Sequence, residues 1–439
     1  MDIERYPVPK RAKTQISKST TTGSSESQGL SWYDTWLSLQ FEKLPANVLD
    51  ILSSGDSGDE KGSSENHWKH FMAAFLKIEE CIRSIDSITI DQIIARLGHE
   101  GLLIPEVNDG TDNQRHEYAR YLIFCVLGWQ TMLFTPAPLG DGSGNAWKSP
   151  QLAIDEKPGC CGYTHMSLET ESRYCARESL SEFLMGFGVL LPSKNLCLDE
   201  DPNIQRIFHN QTEVHARSFN AFTLTAVAGI RIKWVDALAC HLEFNSTTKE
   251  LSLFRFPSFC QSMHLRSSEE DGRCRGAIYA CATTSSLRCQ WASQSEINQL
   301  LLECLLSYRL LFGQKRKART LFRSSLNPFT KKAVSRDNIR DPLLPALCGT
   351  KDPCQDILSG IVEKDTYYLP RDFPILRYRI SILQRHLSSS PPRTWIQLWR
   401  DNRDSASWLT FWAVIAFGIF GSVMAFLQVV LQLVELITE

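Results

Sequence analysis

The segment from Trp408 to Leu436 limits what the rest of the chain can be more than any other stretch. Between Trp408 and Leu427 lie twenty residues with no charge, and only Thr410 and Ser422 bear a hydroxyl. Such a run is long enough to cross a hydrocarbon core of about 30 Å at ~1.5 Å per helical residue. The core helix of a soluble protein rarely stays apolar on every face for that length, so a single transmembrane helix is expected over 408–436. Placed this close to Glu439, the helix reads as a tail anchor that inserts after translation and leaves the preceding body in the cytosol. Arg385, Arg393, Arg400 and Arg403 precede the run and no Lys or Arg follows it, which gives the same orientation by the positive-inside rule.

The flanks add detail. Trp395, Trp399, Trp408 and Trp412 gather where the chain would enter the bilayer, the level that indole rings prefer. Gly418 with Ser422, and Gly421 with Ala425, are small pairs at i, i+4 that would let two such helices approach closely as a homodimer. Beyond the run, Gln428, Gln432 and Glu435 fall on one helical face, for the far interface or for a partner helix. An internal membrane, the endoplasmic reticulum or another, is the expected location.

In a chain of 439 residues with a net charge of −2, no global field selects nucleic acid or an acidic substrate. Fourteen cysteines would suggest disulfides in a secreted protein, but Met1-Asp2-Ile3-Glu4-Arg5 opens no apolar signal segment, so mostly reduced thiols are expected. Asn210-Gln211-Thr212 and Asn245-Ser246-Thr247 match the glycosylation sequon, and use of either would invert the topology.

Composition and periodicity divide the chain. Residues 1–66 read as largely disordered, with a short amphipathic helix near 32–52 and a Ser/Gly/acidic hinge after it. Residues 67–136 carry Phe71, Phe75, Ile78 and Ile82 at helical spacing, then a helix capped by Asp91, and read as a small helical unit. A Pro/Gly-rich loop follows over 137–162. The central module, 163–289, is expected to hold helices over Glu171–Gly188 and Val214–Ala228, the second ended by Gly229. Ile230–Trp234 and Leu251–Phe256 then read as the strands of a small β-hairpin, turned at Asn245-Ser246-Thr247-Thr248. The fold class is therefore mainly α with a small β-hairpin, an α+β centre of winged-helix-like pattern, and one C-terminal transmembrane helix. Residues 293–390 read as helical and basic, with Ile375–Leu387 amphipathic and Arg377, Arg379 and Arg385 outward; 391–407 form a juxtamembrane helix.

Several blocks resemble a large family of uncharacterised proteins of filamentous fungi. They are Trp234-Val235-Asp236-Ala237-Leu238, His241-Leu242-Glu243-Phe244 and Leu253-Phe254-Arg255-Phe256-Pro257-Ser258-Phe259-Cys260 in the centre. Further on come Leu306-Ser307-Tyr308-Arg309-Leu310-Leu311-Phe312-Gly313-Gln314, Asp341-Pro342-Leu343-Leu344, and Trp399-Arg400-Asp401 leading to Trp408-Leu409-Thr410-Phe411-Trp412. The resemblance runs from about Glu171 to the C-terminus with the blocks in order. It implies a fungal source and a C-terminal membrane helix, and it implies no reaction.

The chemistry-bearing residues leave their alternatives open. His241 near Asp236 and Glu243 suits either an acid/base pair or a structural histidine. Cys161-x3-His165-x9-Cys175 recurs as Cys260-x3-His264-x9-Cys274, ligand types that suit a structural zinc. Against zinc, no C-x2-C knuckle is present, and unpaired thiols are the competing reading. From Arg309 to Arg340 ten Lys or Arg face one acid, Asp337. Lys315, Arg316, Lys317 and Arg319 could rest on anionic lipid, or belong to a solvated loop; without interleaved aromatics, nucleic acid is not the expected partner. Phosphate-loop, dinucleotide, metalloprotease and nucleophile-elbow motifs are missing, which weakens the case for an enzyme. The reading favours a cytosolic interaction or accessory module with protein partners, no cofactor beyond that zinc, and as alternatives an accessory protein or enzyme of fungal secondary metabolism or a signalling adaptor.

Overall fold

The computed structural model describes residues 30–52, 63–104, 112–138, 152–155, 176–189, 191–194, 202–267, 276–283, 290–329, 339–351, 363–389 and 405–438. Helices dominate, with two small sheets. The first helical stretch is not one helix but two, α1 (Ser31–Phe41) and α2 (Ala46–Leu49), because Pro45 brings no amide hydrogen and keeps its predecessor from helical geometry. α3 (Ser63–Ser84), α4 (Ile90–His99) and α5 (Asp112–Thr131) follow. Thr89, not Asp91, caps α4: its side chain accepts from Gln92 N at 3.2 Å while Gln92 Oε1 accepts from Thr89 N at 3.0 Å. α6 (Leu180–Gly186) starts from the same kind of box, Ser179 with Glu182.

The centre departs further from expectation. α7 spans Pro202–Asn210, and Val214 then sits in a strand, β1 (Glu213–His215), antiparallel to the distant β5 (Thr366–Tyr368). The expected helix over Val214–Ala228 shrinks to α8 (Ala221–Ala226), because Asn220 caps it by accepting from Thr223 N at 3.1 Å. In the three-stranded sheet, β2 (Arg231–Val235) and β4 (Glu250–Phe254) run parallel, Arg231 opposite Glu250 and Val235 opposite Phe254. The expected pairing of these two as a hairpin is therefore corrected. The hairpin is made instead by β3 (Phe244–Asn245) with β4, and Asn245 Oδ1 holds its turn by accepting from Thr247 N and Thr248 N at 2.9 and 3.1 Å. The buried crossover 236–243 makes the parallel register reachable, so the likeness to a winged helix stops at the hairpin.

α9 (Pro257–Ser267), α10 (Ala277–Thr283) and α11 (Gln294–Tyr308) carry the chain on, α11 capped by Ser293 and Glu296. A π-helical turn, Arg309–Gly313, continues α11 and leads to α12 (Arg316–Leu321). Then come α13 (Leu343–Gly349), α14 (Leu369–Asp372), α15 (Arg377–Ser389) and the long α16 (Ser405–Thr438). One apolar cluster joins Trp32 of α1 to Leu387 of α15, so the soluble stretches share a core.

Polar groups inside that core act as ties. Trp32 stacks on Phe256, ring centroids 4.0 Å apart and 3° from parallel, and its Nε1 donates to Ser258 Oγ at 2.7 Å. Ser258 donates in turn to Asp341, whose other oxygen caps α13 by accepting from Leu343 N and Leu344 N at 2.7 and 3.0 Å. α1 is thus linked through three side chains to the start of α13. Arg309, fully buried, pairs with Glu363 and donates to the carbonyls of Leu347, Thr350 and Lys351 at 2.6, 3.1 and 2.7 Å, closing the C-terminal end of α13. Its guanidinium lies against Gly313, where a Cβ would come within 2.8 Å of Arg309 Cζ. Gly313→Ala should therefore cost about 2 kcal/mol, the usual range for an overpacked core. Denaturant unfolding of the detergent-solubilised chain checks this; an unchanged midpoint would contradict the packing described.

Candidate functional site

Asp236, His241 and Glu243 are separately engaged. His241 is fully buried and bridges β4 to α11. Its Nδ1 accepts from Phe254 N at 3.1 Å, so Nε2 carries the proton and donates to Ser307 Oγ at 2.7 Å; Ser307 donates to Cys304 O at 2.6 Å. This fixes the neutral Nε2–H tautomer. Asp236 accepts from Arg255 and from Trp36 Nε1, at 2.7 and 3.2 Å. Glu243 pairs with Arg379 Nη2 at 2.9 Å. Arg379, expected to face outward, is buried and donates to Ala239 O and His241 O at 2.8 and 2.6 Å. Arg377 lies over the Phe208 ring, and Arg385 is exposed. The arrangement braces the buried crossover with hydrogen bonds and does not converge on a reacting atom.

Of the zinc candidates, Cys161, His165, Cys175 and Cys274 lie outside the described residues. Cys260 and His264 stand one turn apart on α9. Cys260 is fully buried; burial, with the neighbouring Cys304 thiol, pushes its own thiol well above the ordinary range. Burial also lowers His264. Among the described residues, no group of three or more His, Cys, Asp or Glu side chains is placed to hold a metal ion.

The basic stretch is helix, not loop, over Arg316–Leu321. Arg319 is buried and donates to Gly313 O, so it offers nothing to lipid; Arg309 is likewise spent inside. Lys315 Nζ donates to Arg217 O at 3.2 Å, and Lys317 Nζ lies 5.2 Å over the Phe222 ring. Arg316, Lys317 and Arg323 face solvent, while Lys331, Lys332 and Arg336 lie outside the described residues.

α16 contrasts with all of this. Its stretch Trp412–Val434, 23 residues with mean hydropathy 2.3, is long and apolar enough to cross a membrane, and none of it is buried against the body. Outside α16, the large apolar side chains exposed among the described residues are Leu76, Ile104, Leu265 and Tyr368. Gly418 and Gly421 have open space around them, and Ser422 Oγ returns its proton to Gly418 O at 2.9 Å. A shallow groove runs past Ile415, Gly418 and Ser422.

A cleft of about 300 Å³ opens between α4 and the start of α5. The antiparallel bridge of Leu52 with Leu103, in which Ile104 N donates to Ile51 O at 3.0 Å, forms its end. Ile51, Ile94, Ala95, Leu103 and Ala119 give apolar walls, and Arg115 and His116 give the polar edge. Beside it, Arg120 grips Asp91 with two hydrogen bonds of 2.9 and 3.0 Å, and His116 Nε2 stands 3.5 Å from the same carboxylate. Burial alone would raise the Asp91 carboxyl, but the bonds from His116 and Arg120 outweigh it and hold it at about 2. Sequence reasoning gave Asp91 a capping role and missed the cleft.

Two buried carboxyls shift the other way. Burial raises Glu303, which caps the approach to α15 by accepting from Ile375 N and Leu376 N, to about 7, and raises Asp341 to about 6. A folded-state value above the unfolded one means that the native chain binds more protons, so both residues erode stability as pH rises through 4.5–7 and 3.8–6 respectively. Asp91 acts oppositely, stabilising above 3.8 and losing that contribution as pH falls towards 2. Glu303→Gln removes one upward shift; relative to the parent, the variant should gain roughly 3 kcal/mol between pH 4.5 and 7 in urea titrations. Parallel pH profiles for the two proteins would contradict this. No protein-family model matches the chain, and no curated protein or solved structure matches it either.

Proposed function

We propose that this chain is a single-pass, tail-anchored membrane protein of a filamentous fungus, whose helical body works on the cytosolic face of the endoplasmic reticulum or another internal membrane as an interaction or accessory module. The carrying observation is α16, where 23 residues of mean hydropathy 2.3 are left unburied by a body that, among its described residues, buries nearly all other large apolar groups. In water such a surface is unstable; in lipid it is the stable choice, since the helix satisfies its own backbone hydrogen bonds. The arginines ahead of α16 favour the cytosolic orientation of the body. Exposed Arg316, Lys317 and Arg323 add a basic face suited to anionic headgroups, each cation contributing up to about 1 kcal/mol. The groove at Gly418 and Ser422 suits close approach of a second α16. The neutral, fully hydrogen-bonded His241 and the buried Cys260 favour a module over a catalyst.

Fractionation of fungal cells expressing the full chain, or the chain ended after Ser407, tests the anchor. The full chain should stay in the membrane pellet through an alkaline carbonate wash while the shortened one is released; equal release of both would reject the reading. Asn210 and Asn245 are exposed, so a lumenal body would present both sequons. The full chain should show no mass change on endoglycosidase treatment, and a shift would place the body on the other side.

A further inference from the structure

The geometry points to a binding site for a small amphipathic carboxylate, an acyl or aryl acid, in the cleft between α4 and α5; this goes beyond membrane anchoring and does not depend on it. The volume of about 300 Å³ lies at the lower end of ligand-sized pockets. Its walls, Ile51, Ile94, Leu103, Ile104 and Ala119, are apolar. Ile104 is also one of the few large apolar side chains that the body leaves in water among the described residues, as a wall waiting for an apolar occupant would be.

Gly98 supplies an independent observation. It lies in the last turn of α4 at ordinary helical geometry, where alanine would suit the helix at least as well. No neighbour forbids a side chain there, because a Cβ on Gly98 would meet no atom within 4 Å. The space a side chain would fill is the cleft itself. Gly98 thus keeps the floor open, and packing within the described residues does not require a glycine there.

The charge at the edge selects the headgroup. Asp91 is already matched by Arg120, with His116 and Arg177 Nε at 3.5 and 3.8 Å, and Glu117 is paired with Arg120. Arg115, exposed on the cleft's edge, has no ion pair or hydrogen bond among the described residues. Arg115 is thus an unpaired cation among the described residues of the edge, and a guanidinium binds a carboxylate through two parallel hydrogen bonds. An acid with a short apolar body would place that body on Ile94 and Ile104 and its carboxylate on Arg115.

The test is photolabelling of the full chain in nanodiscs with a trifluoromethyl-diazirinyl benzoate, read by mass spectrometry of the peptides covering Ile94–Ile104 and Arg115–Ala119. Labelling of those peptides should be blocked by excess octanoate and not by octanol at the same concentration. Arg115→Gln should lower it roughly tenfold, the loss of one charge-assisted hydrogen bond. Gly98→Leu should abolish it, and Gly98→Ala should reduce it while leaving the melting temperature equal or higher. Absence of labelling there, equal competition by octanol, or full labelling in Gly98→Ala and Arg115→Gln would overturn the assignment.

Discussion

An apolar helix that is buried against none of the described residues of its own chain is solvated better by lipid than by water. Along α16, leucine, valine, isoleucine and phenylalanine point outward on every face, and none of the apolar window is buried. In the body the opposite holds, with Trp32, Phe71, Phe124, Phe254 and Tyr308 all enclosed. The same hydrophobic effect produces both results, acting on a body that can fold over its apolar groups and on a segment that cannot. That difference is what supports the proposed membrane anchoring of α16.

Inside the body, buried polar groups decide which elements meet. Apolar packing alone would tolerate several arrangements of so many short helices, whereas a buried charge tolerates only the arrangement that satisfies it. Arg309 requires Glu363 and the end of α13 together; Arg379 requires the carbonyls of the crossover and Glu243; Asp341 requires Ser258 on one side and the start of α13 on the other. These demands also explain the blocks that drew attention in the sequence. In Leu306–Gln314, Ser307 and Tyr308 hold His241 and Phe254, and Arg309 needs Gly313 beneath it. Asp341-Pro342-Leu343-Leu344 is a helix cap whose second oxygen ties in α9.

How far the sequence disclosed this depended on whether the cause was local. α16 was legible because lipid solvation needs only an uninterrupted apolar run. α11 falls where residues 293–390 read as helical, and the Ser293 and Glu296 box that starts it is equally local. β1 was hidden because three residues form a strand only when a partner some 150 positions away lies alongside. The parallel pairing of β2 with β4 was hidden for the same reason, and the nearby turn residues suggested a hairpin that β3 in fact makes. Arg379 was placed outward because isolated arginines prefer water; two carbonyls from residues 239 and 241 reversed that preference. The cleft is a property of what surrounds Gly98, and a single glycine in a helical pattern carries no such information.

The most direct test of lipid solvation is a nitroxide scan along α16 in reconstituted bilayers, one label at a time from Trp412 to Val434, comparing collisions with oxygen and with a water-soluble nickel chelate. Lipid on all sides predicts high oxygen and low nickel access at every position, with oxygen access peaking near Val423 and falling towards both ends. A helical period in nickel access, or labels near Val423 that meet the chelate as freely as those at the ends, would contradict a membrane-spanning α16.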